Sequence, residues 1–392
     1  MDKFIYMDNS ATTSVKSEVL EEMLPYFSEM YGNPSSIYSL GNRSKVAVEN
    51  AREKIAKAIG ANPKEIFFTA GGSEADNWAL KGIAYRNRDK GNHIITTKIE
   101  HHGILHTCEY LEKQGFRITY LDVDEYGQID LEELEEAIND ETILISIMFA
   151  NNEIGTIQPI KEIGEIAKRR NVYFHTDAVQ AMGHINIDVD ELNIDMLSMA
   201  AHKFYGPKGV GALYIRSGVK IDSLISGGAQ ERNRRAGTEN VPGIVGMGKA
   251  IELAYENLEE KNKKLIKLRD SLIEKIFNNI DHVRLNGHPT KRLPGNVNMS
   301  FEFIEGESLL LSLDMEGIAA SSGSACTSGT LDPSHVLLAI GLPHEIAHGS
   351  LRLSLGDFNT EAEVDIVVEK LVEIVARLRA MSPLYEKAKE EK

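Results

Sequence analysis

The chain has 392 residues, 42% hydrophobic and 26% charged, with a formal net charge of -16 and two cysteines. That length can bury a large core and two domains, and the acidic balance disfavours non-specific binding to nucleic acid or to anionic membranes. The stretch "MDKFIYMDNSATTS" lacks the apolar run of a signal peptide, no later run could span a bilayer, and two distant cysteines do not suggest a disulfide framework. A reducing, cytoplasmic setting is the resulting expectation.

From Ser14 onward, Val15, Val19, Met23, Phe27 and Met30 recur at helical spacing. A second helix, "RSKVAVENAREKIAKAIG", ends at Gly60, a residue suited to a left-handed cap. Short apolar runs then alternate with helical stretches: "EIFFTA", "HIITTK", "RITYLDV", "TILISIMFA", "VYFHTDA", "DMLSMAA" and "GVGALYI", with amphipathic segments such as "DLEELEEAI" and "IKEIGEIAKRR" between several of them. The alternation predicts an α/β fold with a mostly parallel sheet covered by helices on both faces. After Val241 the spacing predicts one long connecting helix over 243–277. Fewer strands ("NVNMSFEF", "SLRLSLG") and further helices ("ESLLLSLDMEG", "EAEVDIVVEKLVEIVARLRAM") follow. The expected organisation is a large domain over 15–256 and a smaller α+β domain from 1–14 and 257–392.

Several segments carry chemistry. In "AAHKFYGPKGVG", Lys203 follows an apolar strand, beside His202 and among small residues. Lysines are usually solvated, but partial desolvation there would lower the amine pKa and suit Schiff-base chemistry. In "FHTDAVQ", Asp177 ends a strand, where open α/β sheets place ligand groups; a helix N-cap is the plainer alternative. In "FFTAGGSEADNWALKG", Gly71 and Gly72 permit close backbone approach and Ser73 begins a helix, an arrangement that favours a phosphate although most such turns bind nothing. "KIEHHGILH" sets His101 and His102 after a strand, either as structural histidines or as site residues. Cys326 lies in "SSGSACTSG", among residues too small for a packed core, whereas Cys108 in "GILHTCEYLEK" reads as a core or near-surface thiol. A lysine, an acid for a ring nitrogen, a phosphate cup and a histidine at the strand ends of one sheet are what a pyridoxal 5'-phosphate site requires.

With those residues in view, the chain resembles the cysteine desulfurases of the NifS/IscS type, within the class V aminotransferase group of PLP fold type I. The matching stretches are "MDNSATT", "YGNPSSIYSLG", "AGGSEADN", "EHH", "NNEIGTIQPI", "HTDAVQ", "AHKFYGPKGVG", "RRAGTENV", "SSGSACTSG" and "LRLSLG", in that order. The resemblance implies that Lys203 attaches the cofactor, Asp177 pairs with the pyridine nitrogen, Gln180 meets the ring hydroxyl, and His101 stacks on the ring and shuttles protons. It implies that Ser73, at the Gly72 turn, His202 and Thr238, supplied across a homodimer interface, hold the phosphate. Asn152, which also counts among the cofactor-binding residues, and Arg352 would hold the substrate carboxylate. Cys326 would be the nucleophile, on a mobile loop that reaches substrate sulfur and then an acceptor. The implied reaction converts L-cysteine to L-alanine and leaves a persulfide on Cys326 for an iron–sulfur scaffold protein or another sulfur acceptor. A selenocysteine lyase or an aminotransferase would share Lys203 and Asp177, and a sulfur carrier without turnover is a third reading. The chain departs from the family pattern at Ala200, where serine is usual, at Tyr38, where histidine is frequent, and at Asp357, where arginine is common.

Overall fold

The computed structural model describes residues 4–322 and 333–390. The strands among them are β1 (Ile5–Tyr6), β2 (Ile66–Thr69), β3 (His93–Thr97), β4 (Arg117–Leu121), β5 (Thr142–Ser146), β6 (Tyr173–Asp177), β7 (Met196–Ala200), β8 (Gly211–Ile215), β9 (Val283–Leu285), β10 (Asn296–Phe301), β11 (Ile318–Ala319) and β12 (Ser350–Ser354). Seven of them form one sheet in the order β2-β8-β7-β6-β5-β3-β4. From β7 to β4 all pairs are parallel; β8 runs antiparallel to both β7 and β2. Ile94, Leu144, Met196 and Leu213 enter an apolar cluster on one face, while Ile95, Ile145, Leu197 and Ala212 enter the cluster on the other. Covered on both faces, these strands read as continuous apolar runs instead of alternating ones.

A third cluster builds a smaller core: Ile5 and Met7 pack with Leu268, Leu272, Val297, Met299, Leu353, Val367 and Leu371. Its sheet is antiparallel, in the order β12-β10-β9, and β1 pairs in parallel with β11 beside it. Ile99, Met148 and Ile154 of the large sheet's loops pack against Val336, Leu337 and Ile340.

Two expected helices are divided. The pattern from Ser14 to Met30 gives helices Ser17–Met23 and Pro25–Ser28, because Pro25 lacks the N–H that would continue the first and suits the start of the second. The connector gives Val241–Tyr255 and Leu258–Asn279, with Asn257 leaving helical geometry (φ -137, ψ 44). Ile251 and Ala254 belong to the large core and Leu265 and Leu268 to the small one, so the chain must turn between them. Lys261 donates to the freed carbonyls of Leu253 and Ala254 and so caps the first helix. The helix Ser39–Ala58 ends as expected: Gly60 is left-handed (φ +69) and Ala61 N–H bonds back to Ala56 O at 2.9 Å.

Because β8 reverses direction and β2 reverses it again, β2 ends at the same edge as β3, β5, β6 and β7. The segments after those strands (Ala70–Ser73, Lys98–His101, Ile147–Asn152, Ala178–Gln180 and Ala201–Lys203) therefore emerge together at the strands' C-terminal edge, where open α/β sheets bind ligands.

Candidate active site

Lys203 closes a short turn after β7. Its Nζ donates to the carbonyls of Ser10 (2.5 Å) and Ala11 (2.8 Å). The Ser10 carbonyl also accepts from Gln180 Nε2 at 2.9 Å, which brings Lys203 and the residues after β6 to one point. The N-terminal segment is held there by Thr13, whose N–H and hydroxyl both donate to His202 O (2.9 and 3.0 Å) and whose Oγ1 accepts from Tyr205 N–H (2.8 Å). Thr12 Oγ1 lies 3.1 Å from His202 Nδ1. Ser10, Thr12 and Thr13 had no individual role in the sequence reading, since their partners lie about 190 residues away.

Asp177 is the last residue of β6 and is buried. Its Oδ1 accepts Val179 N–H at 2.9 Å, so the side chain closes a local turn and caps no regular helix. Burial pushes its carboxyl up to about 6, against the Val179 N–H and the charge of Lys203. His101 caps the helix His102–Lys113, its Nδ1 accepting Gly103 N–H at 3.0 Å. That assigns the ring proton to Nε2, and burial together with the nearby Lys203 charge lowers the ring pKa to about 4. Burial, with Lys203 next, likewise lowers His202 to about 4.

The glycine turn leads into the helix Gly72–Arg86. A Cβ on Gly72 would stand 2.7 Å from Val179 Cγ2, so the turn packs directly on the segment after Asp177. A Cβ on Gly103 would stand 3.1 Å from His101 Nδ1, 3.2 Å from Asp76 Oδ2 and 3.5 Å from Ser73 Oγ, which sets those three side chains around one point. Ser73 is exposed at the helix start, where the first N–H groups have no acceptor within the helix. Behind the site lies a buried polar group that the sequence reading missed. His175 Nδ1 lies 2.9 Å from Ser146 Oγ and its Nε2 2.9 Å from Ser198 Oγ. Asp76 Oδ1 is 3.9 Å from His175 Nε2, and Asp76 is pushed well above the usual carboxylate range by burial and then by Asp177. His175 and Asp177, two apart on one strand, share a face, which is the signal that could have found it.

Arg352, on β12, is buried and donates to Asp8 Oδ1 (2.9 Å) and to the carbonyl of half-buried Asn152 (3.1 Å). Asp8 stands two residues from Ser10, so Arg352 and Asn152 join the same edge as Lys203. Thr238 is exposed, and among the described residues no hydrogen bond ties it to this group. Cys326 lies outside the described residues. Cys108 is a free, fully buried thiol whose pKa is pushed up by burial. Asp357, noted above as a departure from the resembled pattern, pairs with Lys16 at 2.5 Å. A cleft of about 790 Å³ opens at the opposite edge of the sheet; its Arg216 pairs with Asp190 and its Lys168 with Asn193, and it holds none of the residues above.

The donor set fits pyridoxal phosphate: a half-buried lysine amine, a buried acid at a strand end, a packed glycine turn opening a helix, and neutral imidazoles between them. The aminotransferase class-V family model matches residues 5–367. The chain is 66% identical to the cysteine desulfurase IscS of Clostridium botulinum strain Hall, covering 100% of both chains. It is 66% identical to the protein of that name from Methanosarcina thermophila, over 98% of this chain and 95% of the relative. Among solved structures it resembles a NifS-like protein (TM-score 0.91, 44% identity, 96% of this chain and 100% of that one). It also resembles SspA in complex with cysteine (TM-score 0.81, 40% identity, 91% and 100%).

Proposed function

Since the chain belongs to the class-V aminotransferase family, we propose that it is a pyridoxal phosphate-dependent cysteine desulfurase converting L-cysteine to L-alanine, with sulfur retained as a persulfide on Cys326. The observation that carries the reading is the meeting of Lys203 and Gln180 on the Ser10 carbonyl, beside Asp177 and the glycine turn. Lys203 would attach the cofactor, Asp177 and Gln180 would hold its ring, and Gly72, Ser73, His202 and Thr238 its phosphate. When bound, pyridoxal phosphate supplies an electron sink for the bonds at the substrate's α-carbon.

The chain's own groups do the rest. Arg352 binds the substrate carboxylate through its guanidinium fork, with Asn152 beside it. Lys203 moves the proton at the α-carbon, and Asp177 holds a proton at the ring nitrogen. His101, neutral with Nε2–H, has a proton to give near the same place. The Cys326 thiolate attacks the substrate sulfur: an S–S bond forms, the C–S bond breaks, and its electron pair leaves with the alanine fragment, which takes up a proton.

The wider assignments follow from the same reading. The large domain is 15–256 and the small one 1–14 with 257–392, supported by the change of core between Ala254 and Leu265. The active species is a homodimer, supported by Leu24, Phe27, Ile37 and Tyr38, all more than half exposed near the N-terminus, and by exposed Thr238. The sulfur acceptor is an iron–sulfur scaffold or other acceptor protein. The setting is cytoplasmic, supported by the free thiol; no helix among the described residues is long and apolar enough to cross a membrane.

Incubation with L-cysteine should release alanine and add one sulfur atom to Cys326, read by mass spectrometry. Lys203→Ala should abolish both while the circular dichroism spectrum stays native; normal alanine release by that variant would remove the assignment. Cys326→Ser should keep cofactor absorbance and lose persulfide formation.

A further inference from the structure

Glu231, Arg232 and Asn233 are three consecutive non-glycine residues in the left-handed region (φ 44, 57 and 63). Such a run persists only where its surroundings over-determine it, and it clusters where function needs it. The surroundings here are specific. Buried Glu231 accepts Arg52 Nη1 (2.8 Å), Arg52 Nη2 (2.9 Å) and the N–H of Phe68 (2.9 Å). Arg232 Nη2 donates to Ile66 O at 2.8 Å, and the Arg232 and Arg234 guanidinium groups lie 4.7 and 5.2 Å from the Phe67 ring centre.

These contacts grip β2, the edge strand of the large sheet, and covering an exposed edge accounts for them. Edge cover does not account for the next residue. Arg235 forks onto Glu74, Nε to Oε1 at 2.8 Å and Nη2 to Oε2 at 3.1 Å. Glu74 Oε2 in turn accepts Ala70 N–H at 2.8 Å. One strained segment therefore holds the strand that enters the glycine turn and, through Glu74, the turn itself. Glu74 also sits in the first helical turn, where an unneutralised carboxylate would oppose a phosphate dianion. Arg235 pairs with that carboxylate and so offsets its charge.

We propose that Glu231 and Arg235 are positioning residues that hold residues 70–73 in phosphate-accepting form before the cofactor arrives. The inference rests on the reading of that turn as the phosphate site. The experiment compares pyridoxal phosphate with pyridoxal, which lacks the phosphate, as ligands of the full-length apo-protein, with dissociation constants taken from cofactor absorbance. Wild type should prefer the phosphorylated form. Arg235→Ala should lose about tenfold or more of that affinity, the size expected for a charge-assisted fork, and leave pyridoxal affinity within about twofold. Arg235→Lys should restore part of the loss. Glu231→Gln should act in the same direction, with apo-protein melting as the check that it has folded. Equal weakening of both ligands by Arg235→Ala, or no change in either, overturns the proposal and leaves the phosphate site standing. A wild-type protein that does not distinguish the two ligands removes the phosphate site and the proposal with it.

Discussion

Ala200 shows what one side chain can decide. It ends β7, is 1% exposed, and its Cβ would lie 3.7 Å from a Cβ built on Gly72, so it faces the glycine turn. The serine usual in the family would add a hydroxyl at that place. A hydrogen bond to a charged group contributes about 1.5–3 kcal/mol, part of which water can recover. Ala200→Ser should therefore lower the pyridoxal phosphate dissociation constant by up to about tenfold without changing the rate of alanine release at saturating cofactor. Equilibrium titration of the two apo-proteins decides it, and equal constants would mean that residue 200 does not face the phosphate. Residues such as Lys203 and Asp177 were legible because the chemistry stands beside a recognisable strand end. Asp8, Ser10, Glu74 and Arg235 were not, because each acquires its role from a partner far away, such as Ser10 from Lys203, and spacing along the chain carries no trace of that.

Elements were legible where one period persisted. Six strands of the large sheet read as apolar runs because both faces are covered, whereas the edge strand β4 is half-exposed and alternates. The division of the connector helix did not show, since its apolar spacing continues through Asn257 while the core that it faces changes. β1 and β11, two residues each, are too short to display any period. The loops between elements hold a further consequence. Glu100 follows β3 and joins it to the segment after β5, its Oε1 accepting Thr97 Oγ1 (2.8 Å) and Met148 N–H (2.9 Å). Burial pushes its carboxyl up to about 8 from 4.5. A folded pKa above the unfolded one means stability that is full below about 4.5 and lost as pH rises through about 8. The slope is at most one proton, ~1.4 kcal/mol per pH unit. Glu100→Gln keeps an acceptor for both donors and removes the titration. The apo-variant should melt progressively higher relative to wild type as pH rises across that window. Buried His175, lowered to about 3, acts in the opposite sense at acid pH in both proteins, so their difference is the readout. A difference that does not change with pH would place the Glu100 carboxyl in its ordinary range.

At the scale of the molecule, the site lies where two cores meet, and the N-terminal segment straps them together. Ile5 and Met7 belong to the small core, Asp8 pairs with Arg352 on β12, and Ser10 and Thr13 hold the turn of Lys203 on the large sheet. Arg352 therefore has two readings: a carboxylate-binding guanidinium, or a structural ion pair with Asp8 whose loss would loosen the strap. They separate when both partners are changed in turn. Arg352→Ala should raise the half-saturating L-cysteine concentration about tenfold or more, from the loss of a charge-assisted contact worth about 1.5–3 kcal/mol. Asp8→Asn leaves the guanidinium in place and removes one charge that competes for it. It should hold half-saturation within about twofold, or improve it, while lowering the melting temperature of the apo-protein, because a buried guanidinium is left without its counter-charge. Arg352→Lys should lie between wild type and alanine, since an ammonium keeps the charge but not the fork. The measurement is initial alanine release against L-cysteine concentration, with melting curves alongside. If Asp8→Asn and Arg352→Ala raise half-saturation equally, the pair is structural and the substrate carboxylate is held elsewhere.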